Sequence, residues 1–157
     1  MQRRREVEER RLQLIQAQRK LAQSSADLAL AEGNRDREIT ELSNALGFYQ
    51  SEAVWLRDHA NWFCDPRDLM TENQWEKAKV AARLAKLKGD SRALVAECKK
   101  IVGFHEQDLK RVEQLAQMGA IKSEEKSAAA KGLAEARRQL MAAEKRAMEQ
   151  EKNDAPH

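Results

Sequence analysis

The sequence is poor in aromatic residues, proline and glycine. Only 4% of its 157 residues are aromatic, and it contains two prolines and six glycines. A chain with so few bulky rings has little material for a thick core, and so few helix breakers permit long helices. We therefore expect an elongated all-α protein rather than a compact globule.

Long apolar runs and clustered cysteines are also missing. No stretch of 18 apolar residues occurs, so the sequence predicts no membrane span, and its start, MQRRREVEERR, lacks the apolar stretch of a signal peptide. Cys64 and Cys98 are far apart, without CxxC spacing, and predict neither a zinc site nor a disulfide framework. No pair of titratable groups has a credible pocket. We expect no catalytic activity, no metal and no cofactor.

Neither sign of charge dominates the chain. The 29 basic and 26 acidic residues are interleaved and leave a formal net charge of +3, which is weak evidence for a nucleic-acid partner. The largest local excess lies between Lys77 and Lys100, where eight basic residues accompany two acidic ones. This basic stretch either contacts phosphate or anionic lipid, or is a solvated helix surface.

What the sequence does contain is apolar residues at intervals of seven. One row, interrupted only by an arginine at position 35, comprises Val7, Leu14, Leu21, Leu28, Leu42, Tyr49, Leu56 and Phe63. This spacing predicts a coiled-coil seam. Because the row stays in phase across Gly33-Asn34, we predict one helix over about 3–63, weakened at the glycine by roughly 1 kcal/mol.

Two further helices are predicted after a turn around Pro66, which cannot continue the helical hydrogen-bond ladder. Thr71 and Gln74 form a capping box that begins a helix over about 72–117. Gly89-Asp90 either lies within this helix or reverses the chain to give four helices. A third helix is expected over about 123–152, and residues 153–157 should be a disordered tail. The expected architecture is a single elongated domain over 1–152, a long antiparallel helical hairpin or three-helix coiled coil.

The turn between the second and third predicted helices is the most informative segment. Gly119 supplies the positive φ at which helices commonly end. Ser123 offers a capping hydroxyl, followed by two acidic residues that favour a helix start. Short connections make neighbouring helices antiparallel, so Ala120 and Ile121 should lie at the tip of a helical hairpin. Leu115 and Ile121 are either exposed there for docking or covered by the first helix.

These residues resemble the hairpin tip of HlyD-type periplasmic adaptors, the membrane fusion proteins of efflux pumps and type I secretion systems. Tips of that family carry Arg, three residues, Leu, six residues and Ser. Arg111 and Leu115 have this spacing, and Gly119-Ala120-Ile121 is similar to the family's usual turn. Lys122 occupies the Ser position, and Ser123 follows one residue later. The resemblance implies contact with a TolC-like outer-membrane channel through Arg111, Leu115, Gly119, Ile121 and Ser123.

A second segment resembles the residues that follow the turn in the same family. It runs from Met70 to Ala78 and includes Thr71 and Trp75, so the resemblance extends over roughly residues 62–150. Six of the seven aromatic residues flank the turn before this segment: Phe48, Tyr49, Trp55, Trp62, Phe63 and Trp75. They form either a packed end of the protein or an exposed docking surface, which makes Trp62, Thr71 and Trp75 secondary candidates for partner contact.

The predicted function is that of a non-catalytic coiled-coil adaptor that docks a TolC-like channel through its helical tip. An adaptor of this family would work in the periplasm or cell envelope; otherwise we expect the protein in the cytoplasm. The alternative is a cytoplasmic coiled-coil protein that assembles larger structures or binds nucleic acid through residues 77–100. Self-association through the helical seam is also predicted.

Overall fold

The computed structural model describes residues 2–63 and 66–154. These residues form five α-helices and one 3₁₀ turn, and they contain no strand, so the all-α prediction is confirmed. The elements are α1 (Gln2–Ala31), α2 (Arg35–Asp58), the 3₁₀ turn Ala60–Trp62, α3 (Pro66–Lys88), α4 (Ser91–Gln117) and α5 (Ser123–Asp154). Of the predicted tail, 153 and 154 still belong to α5, and 155–157 lie outside the described residues.

The predicted continuous helix over 3–63 is wrong, because Gly33 ends α1. Gly33 has φ +70°, and hydrogen bonds from its N–H to the Leu30 carbonyl (3.0 Å) and from the Asn34 N–H to the Ala29 carbonyl (2.8 Å) form a Schellman motif. The Asn34 side chain then accepts a hydrogen bond from the Arg37 N–H and begins α2. A helix stop and a helix start therefore occupy two consecutive residues.

The predicted continuous helix over 72–117 is also wrong at both its start and its middle. The observed helix, α3, begins at Pro66 rather than after Thr71, which agrees with the preference of proline for the first turn of a helix. In the middle, Gly89 at φ +71° ends α3, and the Asp90 side chain accepts a hydrogen bond from the Ala93 N–H to begin α4. The chain thus uses the same glycine and Asn/Asp pair at positions 33–34 and 89–90.

The chain divides into two compact units. Unit 1 extends to Lys88 and contains α1, α2 and α3, while unit 2 begins at Gly89 and contains α4 and α5. In unit 1, α2 packs against both α1 and α3. Glu8 meets Trp55 and Gln23 meets Tyr49, so α1 and α2 are antiparallel. The α2 and α3 pairings, with Arg83 against Glu38 and Lys77 against Gln50, are antiparallel as well.

The core of unit 1 lies along one face of α2. The buried residues on that face, spaced alternately by four and three, are Glu38, Leu42, Ala45, Tyr49, Glu52 and Leu56. From α1, the small side chains Ala22, Ala26 and Ala29 are buried, and from α3, Val80 and Leu84. Alanine allows close approach of the α1 and α2 axes. Ile15 lies on the same face and is half-buried, whereas Val7, Leu14, Leu21 and Leu28 of α1 are exposed on another face.

Unit 2 is an antiparallel pair of helices. Four ion pairs join α4 to α5 at successive levels: Arg92–Glu151, Lys99–Glu144, Glu106–Arg137 and Glu113–Lys126. Beneath them Cys98, Ile101, Leu133, Ala136 and Ala143 are buried. The His105 ring lies 3.0 Å from the position that a Cβ at Gly132 would occupy, so the absence of a side chain there permits this close contact.

None of the helices within residues 2–63 and 66–154 combines the length and the hydropathy of a membrane span. This result agrees with the prediction from the sequence.

Candidate functional site

The turn between α4 and α5, residues 118–122, has an apolar exposed surface. Gly119, at φ +69°, donates its N–H to the Ala116 carbonyl (3.0 Å), and the Ala120 N–H donates to the Leu115 carbonyl (2.9 Å). These two bonds form a second Schellman motif, which holds the backbone of the turn in one conformation. Met118 is 70% exposed at the end of α4, the highest value among the exposed large hydrophobic residues that the structure describes.

The candidate residues from the sequence lie at this turn and along the last two turns of α4. Arg111 is exposed, and its guanidinium is 3.4 Å from the Asp108 carboxylate on the same helix. Leu115 and Ile121 are half-buried, so each keeps part of its apolar surface accessible. Ser123 is exposed as the first residue of α5. Sequence reasoning missed Met118, although its position directly before the terminating glycine could have indicated exposure.

Trp62, the first of the secondary candidates, lies among the aromatic residues at the end of α2. Trp62 is half-buried, with its ring centroid 4.5 Å from that of His59 and 5.9 Å from that of Trp55. The Arg5 guanidinium lies 5.6 Å from the Trp62 ring. Trp55 is only 5% exposed and stacks on His59 at 4.3 Å. These rings pack on one another and on α1.

Thr71 does not cap a helix as the predicted capping box requires, and Trp75 follows it in the same helix. Both lie inside α3, because that helix begins at Pro66, and Thr71 is exposed there. Trp75 is half-buried, and the Lys79 ammonium lies 5.3 Å from its ring. Cys64 and Asp65, at the predicted turn, lie outside the described residues.

Most basic side chains of the stretch 77–100 contact an acidic or amide side chain of their own unit. Six of its eight basic side chains bond or pair with an acidic or amide side chain: Lys77 with Gln50, Lys79 with Glu76, Arg83 with Asp27 and Glu38, Arg92 with Glu151, Lys99 with Glu144, and Lys100 with Glu97. Paired cations offer less charge to phosphate. Most of these pairs are exposed, however, and exposed pairs are worth about 0–1 kcal/mol, so the basic side chains stay accessible to other anions.

A buried polar cluster around Glu52 joins the three helices of unit 1. Glu52 is 5% exposed and accepts hydrogen bonds from Gln16 of α1 (2.8 Å) and from Asn73 of α3 (3.0 Å). The Arg19 Nε lies 3.4 Å from the Glu52 carboxylate. The Arg19 guanidinium also lies over the Tyr49 ring. Sequence reasoning missed this cluster; two glutamates on the core row of α2 were the available signal.

A second polar cluster lies 14 residues away along α2, at Glu38. This carboxylate is 3% exposed and pairs with Arg83 of α3 at 2.7 Å; Arg83 also pairs with Asp27 of α1 at 2.5 Å. Burial alone would lower the pKa of Arg83, but the hydrogen bonds and charges of Asp27 and Glu38 outweigh it and raise that pKa. The charged guanidinium therefore joins all three helices of unit 1.

No group of three His, Cys, Asp or Glu side chains among the described residues is placed to hold a metal ion. Burial, with a smaller contribution from the Glu97 charge, raises the pKa of the Cys98 thiol and so disfavours the thiolate that a nucleophile requires.

Comparison of the chain with protein-family models, with curated proteins and with solved structures found no match.

Proposed function

We propose that this chain is a non-catalytic helical adaptor that presents the α4–α5 turn to a protein partner in the cell envelope. The α4–α5 pair would act as the adaptor-type hairpin, and a TolC-type channel is the partner that the resemblance indicates. The observation that carries the proposal is the apolar tip, where Met118 is 70% exposed beside a backbone held by Gly119.

The surroundings of the tip support docking without large rearrangement. The ion pairs between α4 and α5 and the Schellman hydrogen bonds order the turn before a partner arrives, which reduces the entropy lost on binding. Methionine adapts its flexible side chain to an apolar groove. Arg111 exchanges its partner at little cost, because exposed pairs such as Arg111–Asp108 are worth about 0–1 kcal/mol. Its guanidinium can then donate to carboxylate or carbonyl oxygens of the partner.

Matched substitutions test this proposal against a purified TolC-type channel. We expect Met118→Glu to weaken binding by about 10-fold or more, because a carboxylate would enter an apolar groove. Met148→Glu, at a methionine of α5 that is 57% exposed, should leave binding unchanged. Biolayer interferometry with the immobilised channel measures both affinities, and circular dichroism confirms that each variant keeps its helix content.

A second pair of variants examines the arginine. Arg111→Ala should weaken channel binding several-fold, whereas Arg138→Ala should not, although Arg138 is equally exposed and also pairs with an acidic residue three positions earlier. Equal effects of the two substitutions would show a non-specific charge effect. Absence of wild-type binding to the channel at low salt would refute the channel as partner.

A further inference from the structure

One face of α1 carries four large apolar residues that no other described element covers. Val7 is 61% exposed, Leu14 58%, Leu21 68% and Leu28 50%, and we call these four residues the α1 row. They recur at intervals of seven over roughly 32 Å of helix. This regular spacing is the pattern that a second helix recognises, and it differs from isolated exposed leucines, which are common on protein surfaces.

A companion row completes the same face. It consists of Arg10, Ala17, Ser24 and Ala31, each three residues after a member of the α1 row, and all four are exposed. In heptad terms the two rows occupy the a and d positions. The opposite face of α1, with Ala22, Ala26 and Ala29, is the one that packs on α2. A complete seam is thus left unpaired after unit 1 has folded.

We propose that this face binds the same face of a second copy of the chain in an antiparallel α1–α1 pair. The antiparallel alignment places each large residue against a small one: Leu14 against Ser24 of the second copy, Leu21 against Ala17, and Val7 against Ala31. Large and small residues that face each other interdigitate and fill the seam. The remaining layer places Leu28 against Arg10 of the second copy.

The charges on α1 favour this orientation. In the same alignment Arg10 is level with Leu28 of the second copy, on the side of the seam where Asp27 of that copy lies, so its guanidinium can reach the Asp27 carboxylate. Asp27 is 67% exposed, so it is accessible beyond its pair with Arg83. A parallel pair would instead place Arg10 against Arg10 and Asp27 near Glu32 of the other copy, which are contacts of like charge. The antiparallel face is self-complementary, as a two-fold symmetric dimer requires.

Sedimentation equilibrium on the full chain over a range of concentrations tests the proposal. We expect a monomer–dimer equilibrium that Leu21→Glu weakens by about 100-fold or more, because the substitution places a charge in the apolar seam. The matched control is Leu30→Glu, since Leu30 is 57% exposed on another face of α1, and it should change the dimer affinity by less than about threefold. A wild-type protein that stays monomeric, or equal effects of both variants, would overturn the proposal.

Spin labels determine the orientation. The label is placed at Glu9→Cys after both native cysteines have been replaced. In the antiparallel pair the two labels would be separated by roughly 30 Å along the helix axis. In a parallel pair they would lie at the same level. A short label-to-label distance would overturn the antiparallel arrangement. The dimer involves unit 1 and the docking turn lies in unit 2, so failure of one proposal leaves the other intact.

Discussion

At the scale of single residues, Tyr49 lies in the apolar core of unit 1 and also contacts polar side chains. It is 1% exposed; its hydroxyl accepts a hydrogen bond from Gln23 at 3.1 Å, and the Arg19 guanidinium lies 4.5 Å from its ring centroid. Burial raises the pKa of Tyr49 from its ordinary 10.0, although the Arg19 charge opposes this shift. The folded protein therefore holds the phenol proton more tightly than the unfolded chain does.

Tyr49 is the only tyrosine, so the absorbance of tyrosinate reports this residue alone. We expect its titration midpoint to lie above 10 in the folded protein and to return to the ordinary value in denaturant. Stability from this shift is fully present below pH 10 and is lost as pH rises through the folded pKa. Arg19→Met should raise the midpoint further, since it removes the opposing charge. A folded-state midpoint at or below 10 would contradict the role of burial.

The Glu52 cluster shows a different property of buried polar residues. The Arg19 Nε and the Asn73 Oδ1 are buried without a hydrogen-bond partner among the described residues, so the cluster is not fully satisfied. Such atoms cost stability, whereas the paired atoms of the same side chains join α1, α2 and α3. We expect the cluster to disfavour other alignments of the three helices.

At the scale of secondary-structure elements, glycine and asparagine decide where α1 stops and α2 starts. Nothing lies within 4 Å of the position that a Cβ at Gly33 would occupy, so the requirement for glycine there comes from its φ of +70° alone. Gly47, inside α2, also has open space around it and has no positive φ. A substitution at Gly33 therefore tests the left-handed turn, and a substitution at Gly47 tests helix propensity alone.

We expect Gly33→Ala to destabilise unit 1 by about 1–2 kcal/mol, the cost of a non-glycine residue in the left-handed region. Gly47→Ala should stabilise it by about 0.5–1 kcal/mol, because alanine has the higher helix propensity. Denaturant unfolding followed by tryptophan fluorescence measures both changes. A stabilising Gly33→Ala would instead support the continuous helix that the heptad spacing predicted.

At the scale of the whole molecule, the two units differ in their aromatic content. All three tryptophans, Trp55, Trp62 and Trp75, lie in unit 1, whereas both units contribute helix. Tryptophan fluorescence therefore follows unit 1 alone, and far-ultraviolet circular dichroism follows the sum. Comparison of the two signals shows whether the units unfold together, as the single domain predicted from the sequence would.

Arg83→Ala should separate the unfolding transitions of the two units. It leaves the buried Glu38 carboxylate without its counter-charge, and we expect it to destabilise unit 1 by about 2–3 kcal/mol; the partial exposure of Arg83 keeps the loss below that of a fully buried pair. The fluorescence transition should move to lower denaturant while part of the circular dichroism signal persists.

Lys86→Ala, an exposed control on the same helix, should change stability by no more than about 0.5 kcal/mol. Coincident transitions in the Arg83 variant would indicate one cooperative unit.

Gly33 and Gly89 end helices at two positions where the sequence predicted continuous helix. The composition correctly indicated an all-α chain, and Leu42, Tyr49 and Leu56 of the predicted row are buried. The same row failed as evidence for a single long helix, because two helices joined by a short turn can share one heptad phase by coincidence. The Gly-Asn and Gly-Asp pairs held the missed signal, since each combines a helix stop with a helix start.

The candidate site was predictable only in part. Gly119 correctly indicated the end of a helix, and the ion pairs between α4 and α5 join these helices in antiparallel order. The exposure of Met118 depended on where α4 ends, and the pairing of the basic stretch depended on acidic residues up to 59 positions away. Spacing along one helix carries no information about such partners.

The sequence by itself determined that the chain is helical and where most helices end, because propensity, glycine and capping residues act locally. Only the tertiary structure decided which face of α1 is buried. Both faces of that helix have apolar residues at helical spacing, and close packing against α2 selected the alanines. The leucines of the α1 row remained outside, where a partner helix can bury them.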